Sequence, residues 1–265
     1  FKQKTAYEML RSLVGSEMCI RDRWRARLSN YMNKTLSPRM RRFIIFVDRI
    51  ILFITHYWLA LAITFLLIFS GLPILAPILM QAGITAPADL IYRLYSLTCH
   101  QLAYRSFFFF GAQSAYTIDE LQRALSVTND AADVIFWRQV IGDAQLGYKM
   151  AWCERDAAIY AAMIFALIVL GLYPRAPRLD WRVYLLVFVL PMAIDGAWQL
   201  LTSPVHIVPF LPVHESTVLD RLITGALFGA GSVWLVFPYI AEAMRDAHKD
   251  ARYQYERARE RLANN

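Results

Sequence analysis

Four long apolar stretches dominate the pattern of hydrophobic and polar positions along the chain. The first has no charged residue from Ile50 to Met80, which exceeds the ~20 residues that a helix needs to cross a bilayer. Pro73 and Pro77 predict a kink or an end in its outer half, because proline lacks the backbone N–H of a helix. The pattern predicts an all-α integral membrane protein, a four-helix membrane bundle with transmembrane helices at about 54–79, 153–172, 183–201 and 218–241.

The segment 81–152, between the first and second spans, is amphipathic and too polar to enter the bilayer. We therefore expect an extracytoplasmic helical insert. Within it, Asp89 to Gly111 reads as one helix that contains Cys99, His100 and Gln101. Thr117 followed three residues later by Glu120 has the spacing of a capping box, which predicts a short helix up to about Leu125.

The composition agrees with several membrane spans joined by solvated segments. The chain is 57% hydrophobic and 18% charged, with a mean hydropathy of +0.35, and this is too apolar for one soluble domain. A net charge of +7 is compatible with nucleic-acid binding, but the basic residues adjoin apolar runs, where they orient membrane proteins. Zinc-finger spacing and a glycine-rich phosphate loop are absent. We therefore expect a lipid bilayer, and no nucleic acid, as a partner.

Lys and Arg are distributed unevenly around the predicted spans. Seven lie in 24–49, three in the 174–182 loop and six in the tail at 244–265, whereas 202–219 has none. Cytoplasmic loops carry an excess of basic residues. We therefore predict a multi-pass protein of the plasma (inner) membrane with both termini in the cytoplasm, the C-terminal one as a charged tail helix.

The N-terminal residues read differently from the rest of the chain. The chain begins at Phe1, and we expect 1–23 to be an assembly scar with Met32 as the true start of translation. The segment 24–49 is then a basic cytoplasmic N-terminal segment, and 50–243 is the membrane domain.

Several polar residues lie where this topology brings helix ends together on the outer side. Asp195 is 13 residues past Arg182, so at ~1.5 Å per residue it lies roughly 20 Å from the inner edge of the bilayer core. A lone carboxylate at that depth either neutralises or pairs with a cation, and we predict Arg221 or Arg155 as the partner. The candidate polar site consists of Arg105, Arg155, Asp156, Asp195, Gln199 and Arg221.

The two cysteines beyond the N-terminal scar also lie on the outer side of this topology. We predict a disulfide between Cys99 and Cys153, which would join the insert to the second span. Two unpaired thiols are an alternative, and a metal site with His100 has suitable ligand atoms but poor spacing. A thiol-redox enzyme lacks the usual vicinal cysteine pair.

Small residues at helical spacing mark one face of the fourth span. Gly225 and Gly229 indicate close packing within the bundle, and a homodimer interface is the alternative.

In combination, these residues resemble an uncharacterised bacterial and archaeal membrane-protein family, catalogued as domain of unknown function 2085, and we expect a bacterial source. The resemblance implies a shared architecture and a shared site, but no reaction. Many members have a second cysteine where this chain has Asp156, which argues against a metal or dithiol role. The matching residues are Cys99-His100-Gln101, Arg105-Ser106, Cys153 to Tyr160, Pro191, Asp195-Gly196, Gln199, Arg221 and Thr224-Gly225.

Three functional hypotheses follow. The leading one is binding or transport of a small solute or ion at the outward polar cluster. The second is a membrane enzyme that uses Cys99, His100, Cys153 and Asp195, although the sequence indicates neither a reaction nor a cofactor. The third is a structural or assembly partner in which the cluster is an ion-pair lock. The apolar stretches Ile159–Gly171 and Val183–Ala193 argue against transport.

Overall fold

The computed structural model describes residues 38–129, 133–173, 176–202 and 215–263. The predicted assembly scar and much of the basic segment 24–49 lie outside these residues. Within them, four helical stretches are long and apolar enough to cross a membrane: Arg42–Gln81, Glu154–Leu172, Trp181–Gln199 and Val218–Glu260. The predicted helical fold with four spans is confirmed.

The described residues contain the following elements in chain order. The helices are α1 (Pro38–Gln81), α2 (Thr85–Tyr95), α3 (Ile118–Leu125), α4 (Val134–Gln139), α5 (Glu154–Leu172), α6 (Trp181–Val183), α7 (Leu190–Thr202) and α8 (Val218–Ala263). A π-helical segment (Tyr184–Val189) joins α6 to α7, and a 3₁₀ turn spans Ala103–Arg105. The strands are β1 (Phe108–Phe109), β2 (Gly142–Asp143) and β3 (Gly147–Lys149).

The chain divides into two units. Of the described residues, 38–56 and 246–263 belong to one unit, and those from Tyr57 to Arg245 belong to the other. In the first unit, Thr55 Oγ1 lies 3.0 Å from His248 Nδ1. The charged tail continues α8 without a helix boundary near residue 244.

Pro73 and Pro77 do not end the first helix, because the insert supplies the hydrogen bonds that they remove. Each proline leaves the carbonyl four residues before it without an intrahelical donor. The Phe69 carbonyl accepts from Tyr95 Oη at 2.6 Å, and the Pro73 carbonyl accepts from the Ala151 N–H at 3.1 Å. Transmembrane helices tolerate proline where neighbours satisfy the freed groups in this way.

The prediction of one helix from Asp89 to Gly111 is wrong, because α2 ends at Tyr95. Gln101 adopts a left-handed backbone with φ of 55°, which a helix interior does not allow. Its side-chain amide donates to the Tyr92 and Ala151 carbonyls, at 2.9 Å each. Gln101 therefore joins the end of α2 to the segment that enters α5.

The capping box at Thr117 and Glu120 is confirmed as the start of α3. A small antiparallel sheet, in the order β1-β3-β2, was not expected from the sequence. Its register pairs Phe108 with Lys149 and Gly142 with Tyr148. The strands are only two or three residues long, so they carry too little period-2 signal to be recognised.

Apolar side chains form one core within the insert, one among the spans and one that joins the two. Trp137 and Leu121 are fully buried in the insert. Leu66 of α1, Leu167 of α5 and Phe237 of α8 pack together in the bundle. In the shared core, Ala76 of α1 is buried with Trp152 at the head of α5, so the insert packs directly against the spans.

Candidate functional site

Arg221 lies at the centre of a group of paired charges at the head of α5 and α8. Its Nη1 donates to Glu154 Oε2 at 2.8 Å, and its Nη2 donates to Glu215 Oε1 at 2.5 Å. The side chains of Arg221 and Glu154 are only 4% and 1% exposed. Each charge is therefore removed from solvent and depends on its partner.

Local structure explains this placement. Thr217 caps α8, since its Oγ1 accepts from the Asp220 N–H at 3.2 Å, and this puts Arg221 in the first turn. Glu154 is the first residue of α5. Arg105 ends the 3₁₀ turn of the insert, and its Nε and Nη2 donate to the two carboxylate oxygens of Glu215 at 2.5 and 2.8 Å. Such two-point contacts fix orientation as well as distance.

A second ion pair joins α5 to α7. Arg155 Nη2 donates to Asp195 Oδ2, and Gln199 Nε2 approaches both oxygens of the same carboxylate at 3.2 and 3.3 Å. Gln199 also donates to Ser216 Oγ, which accepts from Arg221 Nε at 3.1 Å. The two ion-paired groups are thus continuous.

We call this assembly the charged network. Three arginines face three carboxylates in it, so its formal charge is balanced. Its centre is buried, whereas the Arg105–Glu215 pair at one end is 28% and 29% exposed. Its members are Arg105, Glu154, Arg155, Asp195, Gln199, Glu215, Ser216 and Arg221.

The structure brings together five of the six residues of the predicted polar site. Asp195 is paired with Arg155, and Arg221 contacts other carboxylates. Asp156 is the residue that stands apart. Glu154, Glu215 and Ser216 belong to the network but were not among the predicted site residues. The signal for Glu154 was present, since a carboxylate in the first turn of a span needs a partner.

Asp156 instead lies with the two cysteines. The ligand atoms of Cys99, Cys153 and Asp156 all lie within 4.8 Å of one another. The Cys153 thiol donates to Asp156 Oδ2 at 3.1 Å. His100 is not part of this group. Both cysteines are free thiols, and the disulfide between them stays a prediction.

Lys149 is a buried cation that the sequence reasoning missed. Its Nζ donates to the carbonyls of Gln101 and Arg138, at 2.7 Å each, and the residue is 1% exposed. Burial lowers the pKa of Lys149 from its ordinary value of 10.5 to about 7, because desolvation penalises the charged ammonium. Only the tertiary structure reveals this, since the sequence does not show which lysine is enclosed.

The pKa of Lys149 predicts a pH-dependent stability. The unfolded chain keeps the ordinary pKa, so between pH about 7 and 10 it binds more protons than the folded chain, and stability rises with pH. The gain is at most about 1.4 kcal/mol per pH unit. We expect Lys149→Met to remove this rise when thermal unfolding is compared at pH 7 and 9.

The matched control is Lys249→Met, whose side chain is 75% exposed and should leave the pH dependence unchanged. An equal rise in the wild type and in Lys149→Met would contradict the assignment of this effect to Lys149.

Gly225 and Gly229 pack against α5 within the same chain. A Cβ atom on Gly225 would lie 2.7 Å from the Arg155 carbonyl oxygen, and one on Gly229 would lie 2.2 Å from that of Ile159. The absence of side chains lets the two helix backbones approach. This face is occupied inside the chain, so a homodimer through it would require the displacement of α5.

Known proteins give a family context but no activity. Residues 144–235 match the family described as "Predicted membrane protein (DUF2085)", so the resemblance inferred from the sequence is confirmed over a stretch that holds the whole charged network except Arg105. An uncharacterized protein of Methanocaldococcus jannaschii is 28% identical over 198 residues, which cover 70% of this chain and 94% of that protein. That organism is an archaeon, so the expected bacterial source is not supported. No solved structure matches the chain.

Proposed function

We propose that the charged network is an ion-pair lock, and that the protein serves as a membrane-embedded structural or assembly component whose insert is fastened to its spans. The observation that supports this most directly is the position of Arg221, enclosed between Glu154 at the head of α5 and Glu215 before α8. Since Glu215 also binds Arg105, one continuous set of ion pairs links the insert to two spans.

The burial of the network favours a lock over an open pocket. Buried charges whose partners are all in place hold one arrangement, because loss of any partner leaves an uncompensated charge. Among the described residues, a cavity of about 750 Å³ lies away from the network, along the C-terminal half of α5. Its lining is apolar and includes Phe165, Leu170 and Trp234. It offers no polar path from the network through the inner half of the bundle.

A double-mutant cycle on the Arg155–Asp195 pair distinguishes an ion-pair lock from a binding site. Asp195→Asn and Arg155→Gln should each lower the thermal stability in detergent, and the double change should cost less than their sum. The side chains are 20% and 13% exposed, so we expect a coupling between the ~1 kcal/mol of exposed pairs and the ~3 kcal/mol of buried ones.

Additive losses in this cycle would mean that the carboxylate interacts with water or a ligand instead of with Arg155. That result would contradict the lock at this end of the network and favour the binding hypothesis.

Binding of a small solute is the second candidate, and one observation favours it. Arg155 Nε is buried and has no hydrogen-bond partner among the described residues. An added anion or a water molecule would satisfy this donor. The enzyme hypothesis is less well supported, because Asp195 binds Arg155 and Gln199, whereas the cysteines lie with Asp156.

We place both termini in the cytoplasm and the insert outside the plasma (inner) membrane, on the basis of the Lys and Arg count. A reporter fused after Ala263 should then be active in the cytoplasm, and one inserted near Thr128 should be active outside. An extracytoplasmic C-terminus would overturn this orientation.

A further inference from the structure

We propose that Cys99, Cys153 and Asp156 form a binding site for a single thiophilic divalent cation of the Zn²⁺ class. Two sulfur atoms and a carboxylate oxygen lie within 4.8 Å of one another. Zinc takes thiolate and carboxylate ligands at about 2.0–2.3 Å, so ligand atoms around one ion lie roughly 3–4 Å apart. Binding of one ion would require the three atoms to reach that spacing by rotation of their side chains.

Backbone N–H groups point at both sulfur atoms. Cys153 is the N-cap of α5, and its sulfur accepts from the Asp156 N–H at 3.4 Å. The Cys153 N–H in turn points at Cys99 Sγ, at 3.3 Å. Backbone N–H groups and a helix N-terminus stabilise negative charge on sulfur.

Two protons must leave the site when a metal ion binds. The Cys153 thiol now donates to Asp156 Oδ2 at 3.1 Å, so a proton occupies the space between two ligand atoms. A divalent cation would replace that proton and the proton on Cys99, and both would be released to solvent. Binding should therefore strengthen as the pH rises.

The surroundings balance the charge of the loaded site. Two thiolates and one carboxylate carry three negative charges, of which a divalent cation neutralises two. Lys149 lies close enough to Cys99, and Arg105 close enough to Cys153, to interact with them electrostatically. Arg105 offsets part of the remaining negative charge, and Lys149 adds to this only while it is protonated, below a pH of about 7.

The three protein ligands leave one coordination position of the ion open. Structural zinc sites are closed by four protein ligands, whereas three ligands leave one position for water or a bound molecule. Cys99 is 7% exposed and packs in the apolar cluster with Tyr95 and Trp152, while Cys153 and Asp156 are half-buried. The ion would therefore be enclosed on the side of Cys99 and accessible to small molecules on the side of Asp156.

The test uses the full chain, purified in detergent with reduced thiols and carrying Cys19→Ser, so that every thiol signal comes from Cys99 and Cys153. Zn²⁺ is measured by equilibrium binding, and Co²⁺ is used as a probe whose sulfur-to-metal absorption reports thiolate ligation. We expect one ion per chain, with protons released on binding. Asp156→Asn should weaken Zn²⁺ binding by at least the roughly 10–100-fold that loss of an outer-shell partner of a ligand costs, because Asp156 would contact the ion itself.

Three further variants keep the test decisive if one of them folds poorly. Asp156→Cys should retain the ion and increase the sulfur-to-cobalt absorption, since it adds a third thiolate. His100→Ala should bind Zn²⁺ as the parent does, because His100 is outside the group. Cys153→Ser should lose most of the absorption.

Three outcomes would overturn the site. The first is a folded, reduced chain that binds no Zn²⁺. The second is an Asp156→Asn variant with unchanged affinity. The third is a Cys99–Cys153 disulfide in protein isolated with its thiols blocked during lysis, as mass spectrometry would show. The charged network uses none of the three ligands, so the lock is judged separately by its own mutant cycle.

Discussion

Replacement of Arg221 by glutamine should destabilise the protein strongly. The substitution leaves Glu154 and Glu215 without their shared cation, and Glu154 is 1% exposed. Removal of one partner from a buried ion pair costs about 3–5 kcal/mol. We expect a correspondingly large drop in the melting temperature of the protein in detergent.

Glu154→Gln, made in the Arg221→Gln background, should recover part of that loss, since it removes the buried carboxylate that the first change left unpaired. Arg178→Gln is the matched control. Arg178 pairs with Glu242 at 2.6 Å, but both side chains are more than half exposed, so the loss should be about 0–1 kcal/mol. Equal losses at Arg221 and Arg178 would show that the network centre is solvated.

Gly229→Ala should give the second large effect, through the packing of α5 against α8. The new Cβ would lie 2.2 Å from the Ile159 carbonyl oxygen and 3.0 Å from its carbon, and backbone atoms cannot rotate away. The helices must separate, and such overpacking costs about 1–3 kcal/mol. The loss is again measured as thermal stability in detergent.

Gly71→Ala provides the control for this substitution. Gly71 lies in α1, another long helix, and its added Cβ would meet nothing within 4 Å. We expect no loss there. A Gly229→Ala protein as stable as Gly71→Ala would contradict the close approach of α5 and α8.

The spans could be predicted from the sequence because the signal is local. A run such as Ile50–Met80 must lie in an apolar environment whatever the rest of the chain does. Thr117 and Glu120 likewise determine the start of α3, since the two residues satisfy each other's backbone donors. Each conclusion depends on residues that are neighbours along the chain.

The length of the helix in the insert was predicted wrongly for a related reason. The residues after Tyr95 are as apolar as those before it, so hydrophobic content alone does not mark the end of α2. The end is decided by Gln101, whose left-handed backbone and amide bonds to Tyr92 and Ala151 require the returning chain. At Pro73, conversely, the sequence predicted a helix end or kink, but the helix continues. The Pro73 carbonyl accepts from the Ala151 N–H, a contact that exists only in the folded protein.

For the candidate site, the sequence by itself determined that several charged residues lie at helix ends at a similar depth, because helix rise converts residue number into depth. Only the tertiary structure decided their pairing. Asp195 meets Arg155 and Arg221 meets Glu154 because helix rotation and the path of the insert set which side chains face each other. The same holds for Asp156, which the sequence placed with the arginines and the fold placed beside two cysteines. Depth follows from position along one helix, whereas partnership depends on contacts between segments that are distant in the chain.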